Sequence, residues 1–150
     1  MSAVDIVTEI EIARPRAVVA AYASDPDRAP EWYENITSVE WKTPRPLEVG
    51  SRIAFVARFL GRELAYIYEV REVTGEERFV MSTDEGPFPM ETTYAWSDSP
   101  SGGTHMTLRN RGMPAGFSRA MSPFMAAAMR RANRKDLKRL KRLLEADDRR

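Results

Sequence analysis

The sequence contains no cysteine and a single histidine, His105. The first absence excludes disulfides, thiolate nucleophiles and cysteine-ligated zinc. The second excludes multi-histidine metal sites and paired-histidine acid–base chemistry. No run of about 18 apolar residues occurs, as a membrane-crossing helix would need. The start, MSAVDIV, lacks the charged and apolar regions of a secretory leader. A soluble, cytoplasmic protein is therefore expected. Internal repeats, low-complexity tracts and linkers are absent too, and 150 residues with 43% apolar content suit a single domain, 1–150, with one sizeable core.

Charge is nearly balanced at +1 but unevenly placed: from Met113 onward eleven Lys/Arg stand against four Asp/Glu, and the part before it is acidic. Such asymmetry can mark a nucleic-acid or acidic-lipid partner. Here no exposed aromatics interleave the cations, and a solvated helix face accounts for them. No specific nucleic-acid binding is expected.

What is present is organised around the last stretch. Gly116 to Glu145 reads as one long helix, interrupted early by Pro123. Its apolar residues Phe117, Met121, Phe124, Met125, Ala128, Met129, Ala132, Leu137, Leu140 and Leu144 recur at steps of three and four in a single stripe. Ser122 before Pro123 suits the start of its main body. At 1.5 Å per residue the helix runs roughly 35–45 Å, and a stripe that long needs an equally long cover.

The rest of the chain supplies one. Val4 to Ile12 alternates, with Ile6, Thr8, Ile10 and Ile12 on one face, as a half-buried strand does. Two short helices follow. The first, Pro15 to Ser24, has Val18, Val19, Ala21 and Tyr22 as its buried side; the second opens at Ser24-Asp25-Pro26 and is cut short by Pro30. From Ile36 to about Arg111 the period is two, punctuated by Gly and Pro as successive antiparallel hairpins require. The prolines of Thr43-Pro44-Arg45-Pro46 exclude a central position for the strand before them. Strand, two helices, six strands and a long helix predict an α+β fold in which an antiparallel sheet of about seven strands curls around the terminal helix.

The chain resembles the START-like helix-grip (SRPBCC) superfamily, in particular its polyketide cyclase/dehydrase-like branch. Ile12-Ala13-Arg14-Pro15 leading into Val18, Asp25, Pro30-Glu31-Trp32, Val49-Gly50-Ser51-Arg52, Gly103-Thr104 and Asp136-Leu137-Lys138-Arg139-Leu140-Lys141 carry the resemblance, from about Val4 to Glu145. It implies the helix-grip fold and a role among lipid and hormone binders, aromatic cyclases, quinone carriers and chaperone activators.

The inward parity of the strands gives Phe55, Phe59, Tyr66, Tyr68, Met81, Met90, Tyr94, Trp96 and Met106, facing Phe117, Met121, Met125 and Met129 on the helix. An ordinary packed core explains Phe and Met; the hydroxyls and indole, each needing a partner when buried, favour a lined cavity. Phe88 and Phe117, beside glycine- and proline-bearing turns, suit a lid. A mouth is expected near Leu60, Phe88, Met90, Phe117 and Met121. His105 has the outward parity, as do Arg109 and Arg111, so it is expected at the surface and no catalytic dyad is evident. The expected ligand-binding set is the nine strand residues above with Phe88, Phe117, Met121 and Met125, and no catalytic residue, metal or cofactor is expected. Three roles stay open: a carrier of a small hydrophobic, aromatic or lipid-like molecule, a cofactor-independent cyclase or dehydratase, and a chaperone or protein-interaction module. A homodimer is compatible with any of them.

Overall fold

The computed structural model describes residues 4–59, 61–85, 89–112 and 122–147. β1 (Val4–Ile12) leads into α1 (Arg16–Ala23), a 3-10 turn over Pro26–Arg28 and the single turn α2 (Ala29–Trp32). Six strands follow: β2 (Ile36–Trp41), β3 (Arg52–Phe59), β4 (Arg62–Thr74), β5 (Arg78–Glu85), β6 (Met90–Asp98) and β7 (Thr104–Gly112). The helix α3 spans Ser122–Asp147. The strands form one antiparallel sheet in the order β1-β7-β6-β5-β4-β3-β2, so the architecture is the helix-grip arrangement of a curved sheet and a long C-terminal helix.

Local chemistry sets the boundaries. The Asp25 carboxylate accepts from the Asp27 amide at 3.0 Å with Pro26 at the first position, the cap read from the sequence. Gly61, at φ 77, makes the turn between β3 and β4, a left-handed conformation in which a Cβ would be strained. Gly103 is needed for a different reason, because a Cβ there would stand 2.3 Å from the Ile12 carbonyl oxygen. β2, followed by its two prolines, takes a sheet edge.

Alternation divides the strands into two faces. The inner rows bury Val4, Ile6, Thr8 and Ile12 on β1 and Leu64, Tyr66, Tyr68 and Val70 on β4. The outer rows carry cross-strand ion pairs, including Arg109–Asp5 at 2.6 Å, Arg111–Glu91 at 2.9 Å and Arg78–Glu72 at 3.3 Å. His105 is on this outer face, opposite Glu11 in the β1–β7 register and bonded to Glu9 Oε1 at 2.7 Å as well as to Glu11. Those carboxylates, Glu11 first, hold its pKa above the usual histidine range.

Two helical faces differ from the sequence reading. On α1 the buried residues are Val19, Ala20 and Ala23, while Ala21 is exposed. Alanine marks a helical period weakly, so the face is chosen by what the helix packs against, here β6. On α3, Phe124 is 60% exposed. At about 100° per residue it lies about 160° around the helix from Leu140; a stripe traced by repeated steps of four drifts off the buried face.

The C-terminal half of α3 is the anchored half. Leu137, Leu140 and Leu144 are at most 3% exposed. Around them the Glu145 carboxylate accepts from the Ala13 amide at 2.8 Å, Lys141 Nζ donates to the Glu11 carbonyl at 2.8 Å, and Arg14 Nη1 donates to the Leu144 carbonyl at 2.6 Å. The helix is thus tied to the end of β1. Arg139 Nε donates to the Glu31 carbonyl at 2.6 Å and ties it to α2. No described helix is long and apolar enough to cross a membrane.

The same buried face of α3 includes Asn133 and Asp136, at 6% and 4% exposure. Asp136 Oδ1 accepts from the Glu34 amide at 3.1 Å, where the chain leaves α2. Burial pushes the Asp136 carboxyl up from 3.8 to about 7; the Glu34 amide opposes this, the Glu34 carboxylate adds to it, and Lys135 and Arg139 oppose it.

Two outcomes are expected. Leu140→Ala should cost about 2–5 kcal/mol in a denaturant titration, the usual cost of a core leucine. For Asp136 the folded state binds the proton more tightly than the unfolded chain, so its burial destabilises increasingly as pH rises from about 4 to about 7, then levels off. Asp136→Asn keeps an acceptor for the Glu34 amide and removes that titration. Its stability relative to the native chain should therefore rise between pH 4 and pH 8, by about 4 kcal/mol at most; a pH-independent difference in thermal unfolding would contradict the raised pKa.

Candidate functional site

Between α3 and the inner face of the sheet lies a partly open cavity of about 160 Å³. One side is the sheet: Phe55 and Ala57 from β3, Leu64, Tyr66 and Tyr68 from β4, Phe79 and Met81 from β5, Met90, Thr92 and Tyr94 from β6, and Asn110 from β7. The opposite side is Met129, Ala132, Asn133 and Asp136 of α3, one helical face at steps of three and four. Ala23 to Pro26, Ala29, Tyr33, Asn35 and Ile36 close the third side.

The aromatic wall is internally supported. Phe55 and Tyr68 meet edge to face with centroids 5.8 Å apart, and Tyr66 and Tyr68 are also 5.8 Å apart. Trp32, fully buried, stacks on Tyr33 at 4.0 Å and tilts against Tyr94 at 5.8 Å. Such contacts fix the rings without filling the space between them.

Polar groups are few and concentrated. The Tyr33 and Tyr94 hydroxyls are 2.6 Å apart. Two hydroxyls bring two hydrogens and share one bond, so one hydrogen remains to donate elsewhere. Thr92 Oγ1 donates to Asn110 Oδ1 at 2.6 Å. Burial raises the pKa of every tyrosine here: Tyr66 to about 12, and Tyr33, Tyr68 and Tyr94 further, with the Thr92 hydroxyl opposing the shift at Tyr68. At neutral pH all four are hydrogen-bond donors, not anions. Asn133 Nδ2 is buried with no hydrogen-bond partner among the described residues. Asp136 accepts the Glu34 amide on Oδ1 and has no bond to Oδ2 among the described residues. Also among the described residues, no group of three or more His, Asp and Glu could hold a metal ion.

Of the expected ligand-binding set, Phe55, Tyr66, Tyr68, Met81, Met90 and Tyr94 line this cavity. Trp96 and Met106 are 4% and 0% exposed and directly paired across β6–β7, but they do not line it. Alternation gives the face of a strand, not the point along it where helix and sheet close together. Phe88, Phe117 and Met121 lie outside the described residues, as do the side chains of Phe59 and Met125. Of the expected mouth only Met90 is described, and it is a wall residue. The sequence reading did not include Tyr33, Asn133 and Asp136. The available signal was the polar pair at 133 and 136, one helical step apart in the row Met129, Asn133, Asp136, Leu140.

Similar proteins are numerous in structure and distant in sequence. A protein from Thermus thermophilus superposes with a TM-score of 0.81 at 21% identity, covering 95% of this chain and 98% of that one. A START superfamily protein from Mycobacterium smegmatis gives 0.78 at 14% identity, covering 93% and 98%. A protein from Deinococcus radiodurans gives 0.72 at 16% identity, covering 95% and 98%. At these identities the likeness is one of fold. No curated protein matches the sequence significantly. The family model described as polyketide cyclase/dehydrase and lipid transport matches residues 3–145, almost the whole length, and the chain belongs to that family.

Proposed function

We propose that the protein binds and carries a small hydrophobic molecule, aromatic or lipid-like, in the cavity between α3 and the sheet. The observation that carries this reading is the cavity wall itself: large aromatic and methionine side chains held apart by their own packing, with polar groups confined to a few positions. A dry apolar cavity of about 150 Å³ accommodates benzene, so the space here suits a ligand portion of one or two rings. Membership of a family described by both cyclisation and lipid transport is consistent with it.

A protein-interaction module would instead present a contiguous exposed apolar patch. Among the described residues, the exposed large apolar side chains, Val7, Val49, Val73, Phe124 and Leu143, are distributed over β1, the β2–β3 connection, β4 and α3. One observation favours a second reading, as a cyclase or dehydratase. Asp136 titrates near neutrality inside the cavity, as a general acid or base requires. Binding comes first, because it needs no chemical step.

Titration with the neutral fluorophore N-phenyl-1-naphthylamine tests the carrier reading. The native protein should bind it with saturable fluorescence enhancement. Ala57→Phe, which puts a ring into the space from β3, should weaken binding by about tenfold or more with the fold retained by circular dichroism. Undiminished binding in that variant would place the probe elsewhere and remove the support for this cavity.

A further inference from the structure

Resting on that cavity-binding reading, we propose that Asn133 and Asp136 form a subsite for a hydroxyl group, so that the ligand class is a hydroxylated aromatic such as a phenol rather than a plain hydrocarbon. Three observations meet here. Asn133 is 6% exposed, lines the cavity, and has an amide nitrogen with no hydrogen-bond partner among the described residues. Asp136 is 4% exposed, lines the same cavity one helical step on, and keeps Oδ2 without a hydrogen bond among the described residues. At this spacing on a helix the two Cβ atoms are about 5–6 Å apart, close enough for one small group to reach both. A buried polar atom without a partner is unfavourable, and the Asn133 amide, beside a carboxyl oxygen that no described residue bonds, calls for a ligand atom that answers both.

The donor and acceptor pattern selects the group. Asn133 offers a hydrogen, Asp136 offers a lone pair, and the Tyr33–Tyr94 hydroxyl pair beside them holds one further hydrogen. A hydroxyl both accepts and donates, so it satisfies the amide and the carboxyl together. A carbonyl would answer the donors but leave an ionised Asp136 unpaired. An ammonium would pair with Asp136 and meet the Asn133 and tyrosine hydrogens head-on.

The state of Asp136 adds a signature. Its carboxyl titrates at about 7, raised by burial and by the Glu34 carboxylate against the opposing charges of Lys135 and Arg139. Tyr33 and Tyr94 face it from the α2 end and from the sheet and stay neutral well above that value. Raising the pH through 7 turns Asp136 into a better acceptor, so the preference for a hydroxyl donor should grow.

The test is competition of 2-naphthol and naphthalene against N-phenyl-1-naphthylamine, in the native chain, in Asn133→Leu and in Asp136→Asn. We expect the native protein to prefer 2-naphthol over naphthalene by about tenfold, the worth of a charge-assisted hydrogen bond. That ratio should widen from pH 6 to pH 8. In Asn133→Leu it should fall below about threefold, and in Asp136→Asn it should lose its pH dependence. A native ratio near one, or one unchanged in both variants, overturns the subsite while leaving the cavity reading intact, since a trapped water would then be what satisfies the two groups. Failure of N-phenyl-1-naphthylamine itself to bind is the separate result that overturns the cavity reading and the subsite with it.

Discussion

The attachment of α3 to the end of β1 is the constraint on which the rest of this structure depends. Three leucines and three backbone-directed bonds fix the C-terminal half of the helix to Glu11, Ala13 and Arg14. With that half pinned, the N-terminal half passes over the concave face of the sheet and spans it. Met129, Ala132, Asn133 and Asp136 occupy the stretch where the helix stops being packed and becomes a wall. A sheet packed flat on a helix along its whole length would leave no space. One that curls away from an anchored helix leaves a space whose size is set by the angle of departure.

Keeping that space polar at only a few points has an energetic logic. A carboxyl at 4% exposure destabilises the fold at neutral pH, as its raised pKa records. The fold could use leucine at position 136, as it does at 137 and 140. Burying Asp136 instead gives the α2 exit an acceptor for the Glu34 amide and gives the cavity a group whose charge depends on pH. The tyrosines show the opposite treatment. Their burial raises their pKa values, which preserves them as neutral donors and costs little at physiological pH.

Much of the fold was legible in the sequence because it depends on period. β1 and most of the strands from Ile36 to Arg111 alternate regularly enough that burial follows parity, with Val80 and Thr93 buried out of step, and His105 takes the outer face for the same reason. Pro44 and Pro46 mark the edge strand, and Asp25-Pro26 marks its turn. The site was legible only in part. Phe55, Tyr66, Tyr68, Met81, Met90 and Tyr94 share inward parity and do line the cavity, but parity cannot separate them from Trp96 and Met106, which it also turns inward. Tyr33 belongs to no periodic element, so nothing local announces that the chain leaving α2 closes a wall. Asn133 and Asp136 were obscured because a stripe is traced through apolar residues, and a polar pair within it reads as a gap.

The two-faced strands have a consequence for how this chain can change over generations. Register is held by the backbone ladder and by outer-row pairs such as Arg109–Asp5 and Arg111–Glu91, none of which touches the cavity. The inner row is therefore free to mutate without renegotiating the alignment of the strands, provided volume is conserved. Replacing Tyr68 or Met81 alters what the cavity admits and leaves the sheet in place, whereas replacing Gly103 alters the sheet and leaves the cavity wall untouched. Selection can act on ligand choice and on fold integrity through separate sets of positions. The fold is correspondingly tolerant of sequence: structures at 10–21% identity still superpose on the sheet and its helix.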